Sequence, residues 1–271
     1  MTMTIGSLFS GIGGLELGLE WAGLGPTLWQ VEREPYAQTI LARHWPDATR
    51  YDDVCTVGGK DLAHVDIMCG GFPCQDLSFA GKGAGLAGAR SGLWSEYVRI
   101  VREVRPRFVI VENVAALLGR GLGRVLGDLA ESGYDAWWDC VPASACGAPH
   151  RRDRLFIVAY SASARCERET RARVQGPWRA PIGSASYLGS VRDNGGNEPI
   201  LGRTVNGISR GLDGRWPAGP GQEQYPWEFP STFPKVPNRQ SRLKCLGNAV
   251  VPQVGYVIGQ VVNEIVKWQE R

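Results

Sequence analysis

Ile5-Gly6-Ser7-Leu8-Phe9-Ser10-Gly11-Ile12-Gly13-Gly14 decides the fold. The first five residues read as a short strand, and Ser10 to Gly14 as a tight turn. Leu15, Leu17, Leu19, Trp21 and Ala22 continue as a helix. Strand, glycine turn, helix is the opening of a doubly wound nucleotide-binding sheet, in which the glycines let the backbone approach a ligand. Taken alone, the tract equally suits a βα turn with no ligand.

The chain beyond it keeps alternating. Thr27 to Val31 reads as a second strand ending at Glu32. An acidic residue about 20 positions past such a turn can accept both hydroxyls of a ribose. Pro35 to His44 is the next helix, followed by the polar Tyr51-Asp52-Asp53-Val54. Val65 to Cys69 reads as a buried strand and runs into Gly70-Gly71-Phe72-Pro73-Cys74-Gln75-Asp76-Leu77-Ser78. Two glycines let the backbone turn, and Pro73 fixes φ and sets up Cys74. A glycine-rich loop, Ala80 to Gly88, follows. Leu93 to Val104 is amphipathic at helical spacing and is stopped by Pro106. Phe108-Val109-Ile110-Val111 is a β-branched, central strand ending at Glu112-Asn113-Val114. A helix over Ala115 to Glu131, a strand over Tyr134 to Cys140 and a strand at the end of His150 to Ala159 complete the front half.

Two of these residues carry chemistry when taken together. A free cysteine is usually a small buried hydrophobe, and a carboxylate at a strand end can be a helix cap. The Cys74 thiol at one strand end, where a nucleophile would stand, and the Glu112 carboxyl at another of the same sheet favour chemistry over those readings.

Composition sets the frame. The chain has 271 residues, 43% of them hydrophobic, enough for one large domain or one domain with an appendage. No uninterrupted apolar run approaches the ~20 residues of a membrane span. Seven cysteines without a Cys-x-x-Cys pair, and three histidines, speak against a zinc site. Met1-Thr2-Met3-Thr4 has no signal-peptide character, and free thiols suit a reducing cytoplasm. Residues 1–160 carry 15 basic and 18 acidic residues, net −3, whereas 161–271 carry 15 and 9, net +6. An acidic front and a basic back suit a catalytic core followed by a part that binds a polyanion, although a solvated arginine-rich surface has the same charge. Periodicity fades from Ser161 to Pro234, and residues 176–234 hold 19 Gly and Pro in 59 positions.

In order along the chain, these tracts resemble the motifs of the cytosine-5 DNA methyltransferases. Phe9-Ser10-Gly11-Ile12-Gly13-Gly14 resembles motif I, Pro73-Cys74-Gln75 motif IV, Glu112-Asn113-Val114 motif VI, His150 to Arg154 motif VIII, and Gly247-Asn248-Ala249-Val250-Val251-Pro252 motif X. Glu32, Asp53 and Arg90 to Trp94 resemble motifs II, III and V, and Arg239 to Leu243 loosely resembles motif IX. Asp53 aligns better than Asp52 by a single position. His150 stands where glutamine is usual, and Asp76-Leu77 replaces the more usual Pro-Phe pair.

The resemblance implies a doubly wound, mostly parallel methyltransferase (Rossmann-like) α/β sheet with a small, irregular target-recognition region. It implies S-adenosylmethionine held by Phe9, Gly11, Gly13, Gly14, Glu32, Asp53, Pro73, Leu93, Asn248 and Val250. The implied catalytic set is Cys74, Glu112, Arg152 and Arg154, with no metal. Gln75, Ser78, Arg165, Arg168, Arg171, Arg173 and Arg179 are expected on DNA, and Ala80 to Gly88 as a lid over a flipped base. The implied division is a catalytic domain over 1–160, a recognition region over 161–234, and a segment over 235–271 that returns to complete the cofactor pocket. The implied partners are double-stranded DNA and a companion restriction endonuclease, with the chain a cytoplasmic monomer. An RNA cytosine methyltransferase is the nearest alternative, but its Cys-Phe-Thr signature does not occur, nor does an amino-methyltransferase's Pro-Pro-aromatic motif. A binding-only homologue fits less well with Cys74, Glu112 and Arg154 all retained.

Overall fold

The computed structural model describes residues 3–73, 92–148, 150–161 and 237–270. Seven strands form one sheet: β1 Ile5–Leu8, β2 Thr27–Val31, β3 Thr49–Tyr51, β4 Ile67–Gly70, β5 Phe108–Val114, β6 Tyr134–Pro142 and β7 Asp153–Ser161. The helices are α1 Gly14–Trp21, α2 Pro35–His44, α3 Gly92–Val104, α4 Leu117–Arg120, α5 Leu122–Glu131, α6 Arg239–Asn248 and α7 Pro252–Gln269. The sheet order is β3-β2-β1-β4-β5-β7-β6. Strands β1 to β5 pair in parallel, and β7 runs antiparallel to both β5 and β6. The strand order reverses direction at β1 and β4, and in open α/β sheets that is where a crevice opens beyond the strand ends.

Both faces of the sheet are covered, so the central strands are apolar without alternation. Leu8, Met68, Val109, Val111 and Ile157 belong to one core with Tyr97, Ile100 and Val101 of α3 and Val125 and Leu129 of α5. Ile5, Ile67, Cys69, Ile110 and Val158 belong to the other, with Leu15 and Leu19 of α1 and Val254, Ile258 and Val262 of α7. The α6–α7 stretch is long and apolar enough to cross a membrane by composition. In the fold one face of α7 is core, with Ile258, Val262 and Ile265 fully buried, while Tyr256 and Trp268 are exposed.

The two ends of the chain meet along α1 and α7 because glycines line the contact. A Cβ at Gly18 would stand 2.2 Å from the Pro252 carbonyl oxygen and 2.6 Å from Gly255 Cα, and one at Gly14 would stand 2.1 Å from the Val250 oxygen. Asn263 closes the far end by donating to the Ala22 carbonyl at 2.9 Å. Helix α7 thus packs along α1.

Several elements depart from the sequence reading. Strand β3 was not anticipated: three residues at a sheet edge give too short a pattern to read. Strand β5 runs on through Val114, so Glu112 and Asn113 sit within the strand rather than just past its tip. The helix expected over 115–131 is broken at Gly121 into α4 and α5. Helix α6 was also missed, because it buries only Cys245 and shows no apolar stripe. The expected recognition region lies outside the described residues except for Ser161, which ends β7.

Candidate active site

A cavity of about 820 Å³ opens beyond the ends of β1, β2, β4 and β5, within the size range of sites for cofactor-sized ligands. Its floor is the glycine turn. Phe9 takes a left-handed backbone, φ 54°, and its ring stacks on Tyr97 at 6.4 Å between centroids. A bulky residue in that conformation stores strain, which structures tolerate where function constrains the turn. Gly11, φ 58°, has open space where a Cβ would stand, whereas Gly14 is closed by Val250.

Glu32, just past β2, holds this turn. Its Oε2 accepts the Gly11 N–H and its Oε1 the Glu34 N–H, each at 2.7 Å. Gln38 of α2 donates to the Glu32 carbonyl at 2.6 Å and to Asp52 Oδ1 at 3.0 Å, tying the end of β2 to the end of β3. Asp53 Oδ1 accepts the Cys55 N–H at 2.9 Å. Asp52 and Asp53 both line the cavity.

The opposite wall is made by β5 and β7. Arg154 Nε stands 3.0 Å from Glu112 Oε1, across the antiparallel β5–β7 pair. Burial pushes the Glu112 carboxyl up to about 7, against the pull of Arg154 and Arg152. Gly71 makes room for it: a Cβ there would stand 2.4 Å from Glu112 Oε2. Asn113, which the sequence reading passed over, donates to the Phe72 carbonyl at 2.9 Å and is itself buried. It thereby fixes the backbone leading into Pro73. In the sequence its signal is an amide directly after Glu112 at the end of a β-branched run.

The C-terminal segment closes the third side, with Lys244, Cys245, Asn248, Ala249 and Val250 on the cavity wall. Two cations tie it down. Lys244 pairs with Glu34. Arg152 Nη2 donates to the Gly247 carbonyl at 2.7 Å and the Ala249 carbonyl at 2.5 Å.

Of the residues expected at the cofactor, Phe9, Gly11, Gly14, Glu32, Asp53, Pro73, Leu93, Asn248 and Val250 line this one cavity. Gly13 is not on its wall; the ring of Trp45 stands 2.3 Å from where its Cβ would be, so this glycine serves helix packing with φ 82°. Of the expected catalytic set, Glu112 and Arg154 are brought together, and Arg152 spends its hydrogen bonds on the C-terminal segment. Cys74, Gln75, Ser78, the Ala80 to Gly88 loop and Arg165, Arg168, Arg171, Arg173 and Arg179 lie outside the described residues. His150 is exposed.

The walls suit a nucleoside with a cationic group. Glu32, Asp52 and Asp53 offer acceptors, the open cradle at Gly11 admits a ligand against the backbone, and Lys244 and Arg154 already have carboxylate partners.

Residues 3–184 match a family model described as C-5 cytosine-specific DNA methylase. The chain is 35% identical over 165 residues to the type II methyltransferase M2.BsuMI of Bacillus subtilis, an alignment that covers 58% of this chain and 42% of that protein. It is 36% identical over 163 residues to the type II methyltransferase M.Eco47II of Escherichia coli, covering 58% and 39%. The chain thus spans about two fifths of the length of these relatives. A solved structure of a Spodoptera frugiperda DNMT2 variant shares the fold, with a TM-score of 0.53 over 64% of this chain and 54% of that one, at 19% identity.

Proposed function

The chain belongs to the C-5 cytosine-specific DNA methylases, and on that premise we propose that it transfers a methyl group from S-adenosylmethionine to C5 of a cytosine in double-stranded DNA. The observation that carries this reading is that the nucleoside-binding edge, Gly11 with Glu32, and the Glu112–Arg154 pair open onto one cavity. When bound, the donor supplies a methyl group carried on a sulfonium cation. Glu32 would accept its ribose hydroxyls and Asp53 its adenine amino group, with Asn248 and Val250 on the wall that would close over it.

The target base needs activation because the cytosine ring is electron-poor at C5. A base within a duplex is out of reach, so the cytosine is flipped into the site. The Cys74 thiolate adds to C6, forming an S–C6 bond and moving electron density onto C5. Glu112, with a carboxyl held near pH 7, carries a proton to N3 as this density builds. Arg154 holds Glu112 in place and presents positive charge toward O2. C5 then takes the methyl group, whose bond to the sulfonium sulfur breaks to leave a neutral thioether, and a base takes the C5 proton. The electron pair of that C–H bond restores the ring as N3 returns its proton to the Glu112 carboxylate, and the S–C6 bond breaks to release thiolate.

Residues 161–234 form the target-recognition region in this reading, with Arg165, Arg168, Arg171, Arg173 and Arg179 on phosphates. Reversing two of them makes the dependence of log K on log salt shallower, by about 0.9 for each phosphate no longer neutralised. The type II methyltransferase relatives support a companion restriction endonuclease, with the chain itself acting as a cytoplasmic monomer.

A tritiated-methyl transfer assay on mixed-sequence duplex DNA and on tRNA tests the proposal. Label in DNA that digests to 5-methylcytosine is the expected result. Label confined to tRNA, or none in either, contradicts it.

A further inference from the structure

Helix α3 bears on the donor cavity at three places. Leu93, in its first turn, lines the wall, and Tyr97 stacks on Phe9 at 6.4 Å. The third contact is made by a side chain that does not line the cavity. Arg99 Nη2 donates to the Val54 carbonyl at 3.0 Å and to the Val57 carbonyl at 2.8 Å. Both valines belong to the loop after β3, and Val54 lines the cavity beside Asp53.

Two carboxylates aim this guanidinium. Arg99 Nε donates to Glu96 Oε2 at 2.7 Å and Nη1 to Glu103 Oε1 at 3.0 Å, at the i−3 and i+4 positions of the same helix. Glu103 Oε2 also accepts the Gly59 N–H at 2.7 Å. The loop comes this close because Gly59 has no side chain: a Cβ there would stand 2.9 Å from Glu103 Cβ.

Half-exposed ion pairs along a helix add little stability. The carbonyl contacts do something else. Strand β3 is three residues long at the sheet edge, so it gives the following loop a short base. Val54 and Val57 pack into the core beneath that loop, but apolar packing is not directional, whereas hydrogen bonds are. The turn itself is closed locally: Asp53 Oδ1 accepts the Cys55 N–H at 2.9 Å, and the Asp53 carbonyl accepts the Thr56 N–H at 3.1 Å. Arg99 ties that closed turn to α3.

We propose that Arg99 is a positioning residue for the nucleoside end of the methyl donor: its two bonds to the Val54 and Val57 carbonyls set the turn from which Asp53 meets the adenine. This rests on the donor site proposed above. Its signature is loss of base discrimination. S-inosylhomocysteine carries an oxygen in place of the adenine amino group, so wild type should bind S-adenosylhomocysteine at least about tenfold more tightly. Arg99→Met keeps the apolar stem and removes the fork. It should weaken S-adenosylhomocysteine about fivefold to tenfold and S-inosylhomocysteine by less than about twofold. Arg99→Lys keeps the charge but cannot fork onto both carbonyls, and should fall between. Added to Asp53→Ala, Arg99→Met should cost less than about twofold, because both act through one contact.

Titration calorimetry with the two ligands, on the full chain, makes the test. Wild-type affinities in Arg99→Met, or an equal loss for both ligands, overturn the proposal while leaving the donor site standing. Should Arg99→Met fail to fold, Arg99→Lys decides, and an unchanged ratio of the two affinities there overturns it. If wild type binds both ligands equally, the Asp53 contact fails and the role of Arg99 fails with it. If wild type binds neither of them nor S-adenosylmethionine, the donor site itself fails, and the proposal with it.

Discussion

Arg154 Nε stands 3.0 Å from Glu112 Oε1, yet the Glu112 carboxyl still rises to about 7. Burial outweighs the neighbouring guanidinium. The residue can therefore hold a proton at neutral pH while remaining anchored, which is what delivery to a base nitrogen requires.

Glu112→Gln should abolish turnover while keeping donor affinity. In wild type, single-turnover methylation should fall as pH rises above about 7, as Glu112 loses its proton. The same group has a stability signature. The folded protein keeps this proton up to about pH 7, while the unfolded chain releases it near the ordinary carboxyl value of 4.5. Between these values the folded state binds more protons, so rising pH lowers stability. Glu112→Gln should flatten that fall in melting temperature, and Glu16, which burial also raises to about 7, contributes to the slope that remains.

Arg152 separates a tie from a catalytic contact. Its hydrogen bonds go to the Gly247 and Ala249 carbonyls. Losing them should weaken donor binding by about 1.5–3 kcal/mol, the range for hydrogen bonds to a charged group. At saturating donor, Arg152→Ala should then recover most of its kcat, and hydrogen exchange across 245–251 should quicken. A kcat that stays near zero at saturation would return Arg152 to the reacting centre, as the family resemblance implies.

Glu32→Ala removes the acceptor of two backbone N–H groups as well as the proposed ribose contact. Calorimetry should show donor affinity falling by at least about tenfold, since each hydrogen bond to a carboxylate contributes about 1.5–3 kcal/mol. Unchanged affinity would remove Glu32 from the site.

The α1–α7 seam tolerates no added volume at Gly18, where a Cβ would meet the Pro252 oxygen at 2.2 Å. Gly18→Val should destabilise the fold by about 1–3 kcal/mol, as overpacking does. Chemical denaturation measures it directly. Donor affinity should fall as well, because Gly14 and Val250 meet at the same seam.

Much of this site was legible in the sequence because it is built from local patterns. Glycine spacing at 9–14, the acid at Glu32 and the β-branched run before Glu112 each follow from rules that span a few residues. What was not legible depends on distant partners. Gly13 looks like its neighbours in sequence, but Trp45, 32 positions away, fills the space beside it. Arg152 sits beside Arg154 with the same chemistry, yet its backbone takes φ 40° and its head group reaches a segment 95 positions on. Helix α6 has no apolar stripe to announce it, because Lys244 and Arg152 hold it rather than a core.

The central claim is that Cys74 forms a bond to the cytosine ring. Duplex DNA of mixed sequence carrying 5-fluorocytosine for cytosine, incubated with the protein and S-adenosylmethionine, tests it most directly, because fluorine cannot leave C5 as a proton does. The account predicts a covalent protein–DNA complex that survives denaturation, maps by mass spectrometry to the peptide containing Cys74, and is missing in Cys74→Ala. Methylation of ordinary DNA by wild type with no trapped complex on the fluorinated duplex, or a normal methylation rate in Cys74→Ala, would contradict it.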